Sequence, residues 1–170
     1  MADDLQVSWE LSGSGWARFR IADSTTERTD VVSYCTDALA DLLGGVAGLY
    51  GPSTDQQVSF DLEPAEVRWR LRCRGTNLVI TVYRFPDLNS SWDAPDEEGT
   101  LVWSSTQPRP VFTHAVMEAA QAVLELHGEV GYREKWIQHS FPVAALQDLR
   151  RLHLRDDECW HEQCQGSPDS

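Results

Sequence analysis

Lysine is all but missing from this 170-residue chain: Lys135 is the only one, and the other basic residues are all arginine. That bias is the mark of a GC-rich genome, such as an actinobacterium's, before it is a mark of binding. Basic charge of any kind is scarce. Against 14 basic side chains stand 27 acidic ones, a formal net charge of -13 at pH 7. A field of that sign repels phosphate backbones, which argues against nucleic acid as a partner. Long apolar runs are missing too. No stretch approaches the ~18 residues that a bilayer-crossing helix needs, so no membrane association is expected. The start, Met1-Ala2-Asp3-Asp4, is acidic with no apolar run behind it and reads as neither signal nor transit peptide, which makes a cytoplasmic location the expectation. Cys35, Cys73, Cys159 and Cys164 are too few and too scattered for a secreted disulfide framework.

Signatures of catalysis are absent as well. His114, His127 and His139 have no Gly-x-Ser-x-Gly elbow and no catalytic-cysteine pattern beside them. The run Gly44-Gly45-Val46-Ala47-Gly48 falls inside a helical pattern, not between a strand and a helix, and fails the context test for a nucleotide fingerprint. No catalytic residue and no cofactor is assigned. Asp93, Asp96, Glu97 and Glu98 are oxygen ligands of the kind a hard cation takes, but the alternation of an EF-hand loop is missing. The tail from His153 to Cys164 carries thiols and imidazoles without the tight Cys-x2-Cys knuckle of structural zinc, and reads as a chance cluster.

What is present describes a globular protein: 41% hydrophobic residues and seven tryptophans. The length suits one domain, expected over residues 1–154, with an acidic flexible tail over 155–170. The most informative stretch is Arg68, Arg70, Arg72 and Arg74 alternating with Val67, Trp69, Leu71 and Cys73. Successive side chains of a strand point to opposite faces, so this segment predicts a strand half buried and half wet, and hence antiparallel pairing. Val7-Trp9-Leu11, Trp16–Ile21, Val58-Phe60-Leu62, Leu78–Phe85 and Thr100–Ser104 read as further strands. Val31, Cys35, Leu39, Leu42, Val46 and Leu49 recur every three or four residues and predict a helix from Asp30 to Gly51. A second helix follows Pro108 and Pro110 and closes at Gly128. A short helical piece around Tyr132 and Trp136 comes next, and a last helix starts at Ser140. The expectation is an α+β fold in the order ββαββββαα, with a single antiparallel sheet of about six strands, helices on one face and the arginines on the other.

Ser33-Tyr34-Cys35-Thr36-Asp37-Ala38-Leu39, Glu63-Pro64 followed by Trp69-Arg70-Leu71, and Gly131-Tyr132 with Trp136 and Phe141-Pro142 resemble an actinobacterial family of hypothetical proteins. The resemblance runs over most of residues 16–152. It implies a single α+β domain and brings no activity, cofactor or site. Small bacterial immunity proteins share the acidic α+β character, an analogy at the level of fold.

Two features remain as candidate sites. The loop from Asp87 to Gly99 is longer than an ordinary connection and carries five acids and no base around Trp92. A tryptophan there either plugs into the core or offers a contact to a partner, and Trp92, Asp93, Asp96, Glu97 and Glu98 are the expected partner-binding residues. Arg68, Arg70 and Arg72 form either an anion-binding face or a ladder neutralised by Glu10, Asp61, Glu63 and Glu66 on neighbouring strands. The function these features favour is a non-enzymatic, immunity-like interaction module for a basic protein. The alternative is a small-molecule binder or enzyme with a pocket between sheet and helices, lined by Trp69, Tyr83 and Trp103.

Overall fold

Each alternating segment is a strand in the computed structural model, which describes residues 5–53 and 55–157. The strands β1 (Gln6–Ser12), β2 (Trp16–Ala22) and β3 (Glu27–Ser33) form one antiparallel sheet in the order β1-β2-β3. A second antiparallel sheet has the order β4-β5-β6-β7, from β4 (Asp55–Asp61), β5 (Glu66–Arg74), β6 (Asn77–Phe85) and β7 (Thr100–Pro108). Helix α1 (Ala38–Gly48) joins the two sheets, and α2 (Leu88–Ser91) with a 3-10 turn (Asp96–Glu98) lies between β6 and β7. The chain ends in α3 (Arg109–Trp136), broken at Gly128 by a backbone with φ 66° and ψ 175°, and α4 (Val143–Asp157).

The α+β class holds, but the single sheet of about six strands is corrected to two sheets of three and four strands. The difference begins at β3. Its Val31 fits the helical spacing of Leu39, Leu42 and Val46, yet Val31 is 43% exposed while Asp30 and Val32 turn inward. The helix starts only at Ala38, so Cys35, expected on its apolar stripe, is exposed and donates to Glu63 Oε1 at 3.4 Å. β3 pairs with β2 alone, and the sheet stops there because the chain leaves it for α1 before β4 begins.

Aromatic rings join the sheets. Phe19 of β2 stacks on Trp69 of β5 with centroids 4.8 Å apart and planes at 18°. Phe60 of β4 meets Phe19 edge-on at 5.4 Å, and Trp9 of β1 reaches Trp136 of α3 at 6.3 Å. Such pairs add about 0.5–1.5 kcal/mol each beyond the area they bury. Leu39, Leu42 and Leu43 of α1, Phe112 and Val116 of α3 and Leu149 of α4 complete one continuous core. Leu126, two residues before the break at Gly128, is 77% exposed.

Helix α4 is held by a buried polar cluster. Asp157 accepts from Arg109 Nη2 at 2.7 Å, from the Tyr50 hydroxyl, and sits 2.9 Å from His153 Nδ1. The Arg109 guanidinium also lies over the Tyr50 ring, 4.1 Å from its centroid. Composition alone puts Asp157 in the tail, but it is an anchor of the last helix. Burial raises the Asp157 carboxyl, and the hydrogen bonds from His153, Tyr50 and Arg109 more than reverse this, so the group titrates below the ordinary aspartate range. Burial, reinforced by Asp157, raises the Tyr50 phenol.

The glycines of α1 explain how it sits against β4. A Cβ at Gly45 would lie 2.5 Å from Val58 Cγ2, whereas one at Gly44 would meet nothing within 4 Å. Gly45→Ala is therefore expected to lower stability by about 1–3 kcal/mol through overpacking. Gly44→Ala should raise it by about 0.5–1 kcal/mol through helix propensity. Urea unfolding of the two variants checks both signs.

Candidate functional site

The alternation at residues 66–74 places the arginines on one face of β5, as predicted, but that face is not open to solvent. Val67, Trp69 and Leu71 point into the core, and Arg68 on the other side is also buried, at 2% exposure. This corrects the expectation that all four arginines face water. The physical reason is the loop between β6 and β7, which folds back over the sheet.

Every donor of Arg68 is used, three of them on that loop. Nε and Nη2 donate to the two oxygens of Glu66 at 3.1 Å each. Nη1 donates to Ala94 O at 2.7 Å and to Asp96 Oδ1 at 3.0 Å, and Nη2 also donates to Ser91 O at 2.7 Å. A guanidinium has five N–H donors in a fixed fork, and all five are taken. Glu66 is equally saturated, accepting also from the Ser59 and Ser91 hydroxyls at 2.7 Å each. The Phe85 ring covers the guanidinium at 4.4 Å. Full satisfaction is what allows a charged pair to be buried here at all.

The neighbouring arginines share the same acid. Arg70 donates to Asp96 Oδ2 at 3.0 Å and to Gln57 Oε1 at 2.8 Å. Arg72 is half-exposed, with Asp55 at 3.3 Å and Asp96 at 3.8 Å. Arg68, Arg70 and Arg72 thus face Glu66, Asp96 and Asp55, and Arg68 has no donor left for an external anion. Of the acids expected to neutralise the strand, Glu66 does so and Glu10 reaches Arg18 at 3.9 Å. Asp61 instead receives the Glu63 amide at 2.8 Å, and Glu63 receives the Cys35 thiol. Burial raises the Asp96 carboxyl, but hydrogen bonds and charge from Arg70 and Arg68 outweigh it and hold the group below its ordinary value.

The same contacts set the shape of the loop. Asp87 caps α2 by accepting the Asn89 amide at 2.9 Å, and the Leu88 amide donates to Pro64 O at 2.7 Å, tying the loop to the β4–β5 turn. The expected partner-binding residues then separate. Asp96 is turned down onto the arginines and buried, whereas Asp93, Glu97 and Glu98 face water. Trp92 does not plug into the core: it is 70% exposed at the end of α2. Sequence reasoning treated the acidic loop and the arginine face as two separate surfaces. The signal that joins them was charge balance, since three guanidiniums on one sheet face require anions and the nearest unpaired run of acids is this loop.

The pocket expected between sheet and helices takes a different form. Trp69 and Trp103 pack on each other in the core with centroids 6.4 Å apart, while Tyr83 pairs with Arg68 on the opposite face. These three residues therefore do not share a cavity. A cavity between α3 and α4, lined by His114, Met117, Gln121 and Arg150, holds about 220 Å³, below the ~300–1,000 Å³ of ordinary ligand sites. Among the described residues no group of three His, Cys, Asp or Glu side chains converges on a metal position, and no helix is long and apolar enough to cross a membrane. The cluster of Cys159, His161 and Cys164 lies outside the described residues. Comparisons with models of protein families, with curated proteins and with solved structures found no match.

Removing Arg68 would strand two buried carboxylates. Arg68→Met is expected to lower unfolding free energy by about 3–5 kcal/mol in a urea titration; a loss below about 1 kcal/mol would mean the loop holds itself. The acid dependence has a defined sign. Asp96 and Asp157 both titrate below the ordinary aspartate value, so their contribution is complete above about pH 4 and is lost as pH falls through the lower folded values. Urea midpoints should fall over that window, and Asp96→Asn, starting from a lower midpoint, should fall less steeply.

Proposed function

We propose that this chain is a non-enzymatic interaction module, immunity-like in character, that binds a basic protein through the Trp92 loop. The observation that carries this reading is an exposed tryptophan on a rigidly bonded loop. Trp92 is 70% exposed, yet the backbone on either side of it, at Ser91 and Ala94, is clamped by Arg68. A free surface loop must be ordered on binding, and ordering costs about 0.5–1.5 kcal/mol for each immobilised side chain. Much of that cost is already met here by folding.

Tryptophan is enriched among residues that dominate binding energy, and such residues work best when a polar rim surrounds them. Asp93, Glu97 and Glu98 supply that rim and its sign. With a net charge of -13 on the chain, encounter with a basic partner would be accelerated and salt-sensitive. Asp96 belongs to the support of the loop and not to its contact surface.

The test is capture from a lysate of the native organism by wild type and by Trp92→Ala side by side, each eluted with rising salt. A basic protein held by the wild type and released by salt should be lost from Trp92→Ala, whose truncation is expected to weaken binding roughly 30-fold, a hot-spot loss of about 2 kcal/mol. The melting temperature should stay unchanged because the side chain is mostly exposed. Equal capture by both proteins would exclude the loop as the contact.

A further inference from the structure

The free edge of the second sheet presents a different surface. β4 ends the strand order, so one row of its backbone N–H and C=O groups has no neighbouring strand. Among the described residues no backbone hydrogen bond joins that row to another segment. Proteins usually blunt such an edge with a bulge, a proline or a lysine. β7, at the opposite margin, has an irregular register at Val82/Tyr83 and closes on Pro108. α3 packs against β1 and α1 against β4, the latter on the core face where Gly45 meets Val58. β4 is regular over its seven residues and contains neither lysine nor proline.

A groove runs beside this edge. Its wall includes Gln56, Gln57, Val58 and Ser59, four consecutive residues. Gln56 and Val58 oppose Leu71 and Trp69 on the core face, while Gln57 and Ser59 oppose Arg70 and Arg68 on the other. Residues of both faces can border one space only at the strand's open side. Across the groove lie Gly44 and Gly45 of α1; Gly45 is packed on Val58, but a Cβ at Gly44 would meet nothing within 4 Å, and the open groove measures about 610 Å³, well within the ~300–1,000 Å³ of ligand sites. Leu88 closes one end, one helical turn from Trp92.

The groove is acidic at the α1 end. Asp41 and Thr36 line it, and Asp37, the N-cap residue of α1, precedes Asp41 by four residues and accepts its amide through the backbone carbonyl. Thr36 Oγ1 and Asp37 Oδ1 are buried without a hydrogen-bond partner among the described residues. Asp37 has one nearby cation source, His139 Nδ1 at 3.8 Å, and that ring also bonds Tyr34 O at 3.2 Å. Burial raises both carboxyls, with the Asp37 charge adding to the effect at Asp41. Two crowded carboxylates of this kind favour an incoming cation.

We infer that the β4 edge receives an extended, lysine- or arginine-bearing segment of a protein partner as an added antiparallel or parallel strand, with a basic side chain placed on Asp37 and Asp41. Backbone pairing would supply affinity and the acidic end would supply selectivity, the division seen wherever a peptide extends a sheet. A second copy of this chain does not fit: pairing two β4 edges would juxtapose the same acids in two molecules of net charge -13. The inference rests on the reading that the partner is basic but does not require Trp92.

The experiment uses two acetylated nonapeptides, one alternating lysine with valine and one alternating glutamate with valine, titrated into the full-length isotope-labelled protein. Amide shifts and slowed hydrogen exchange over Gln56–Ser59, produced by the lysine peptide and not by the glutamate peptide, are expected. Asp41→Asn should weaken the lysine peptide about fivefold. Gly44→Gln, whose side chain starts in open space, should fill the groove and weaken it by at least about tenfold. Equal response to both peptides, shifts confined to other segments, full binding by Gly44→Gln, or dimerisation of the free chain in light scattering would overturn the inference. Lysate capture lost from Trp92→Ala but kept by Gly44→Gln would overturn the groove and leave the Trp92 reading standing; the reverse pattern would do the opposite.

Discussion

The Arg68 guanidinium is the interaction on which the second sheet and its loop both depend. It is buried at 2% exposure, and it bonds a carboxylate on its own strand, a carboxylate from the loop and two loop carbonyls. A charge in that position is stable only because every donor has a partner. The arrangement therefore works in one direction and its reverse: the loop shields the arginine from water, and the arginine determines where the loop lies. The exposed position of Trp92 follows from this constraint. With Ser91 and Ala94 held from beneath, the two residues between them, Trp92 and Asp93, have no path into the core.

A similar device secures the end of the chain's last helix. Asp157 gathers Tyr50 from beyond α1, Arg109 from the start of α3 and His153 from α4 itself. Both polar clusters lie at the margins of an aromatic core in which Phe19 and Trp69 carry the contact between the sheets. The division is physically reasonable. Apolar contact is non-directional and supplies most of the driving force, whereas saturated ion clusters admit few alternative geometries and fix which loop and which helix end goes where.

Much of this was legible in residue order. The strands at Val7–Leu11, Trp16–Ile21 and Val67–Cys73, the break at Gly128 and the existence of a last helix, expected from Ser140 and found from Val143, all follow from local periodicity and local backbone preference. β3 was not legible, because over seven residues a chance spacing of Val31 and Cys35 with later leucines imitates a helical face. The candidate site was legible in part. The loop and Trp92 stand out by length and composition, but nothing local distinguishes Asp96 from Asp93 or Glu97. The free edge of β4 was likewise hidden, since a strand's place in a sheet is a property of pairing and not of the strand.

The sequence by itself determined the α+β class, the inward residues of β5 and the strong negative charge, because alternation, helical spacing and composition are local or additive quantities. Tertiary structure decided that there are two sheets, that Arg68 is buried, that Asp96 turns down while Trp92 turns out, and that β4 is left at an edge. Each of those outcomes depends on which distant groups meet. A guanidinium on an alternating strand has the same local pattern whether water or a folded-back carboxylate solvates it, and only long-range packing chooses between them.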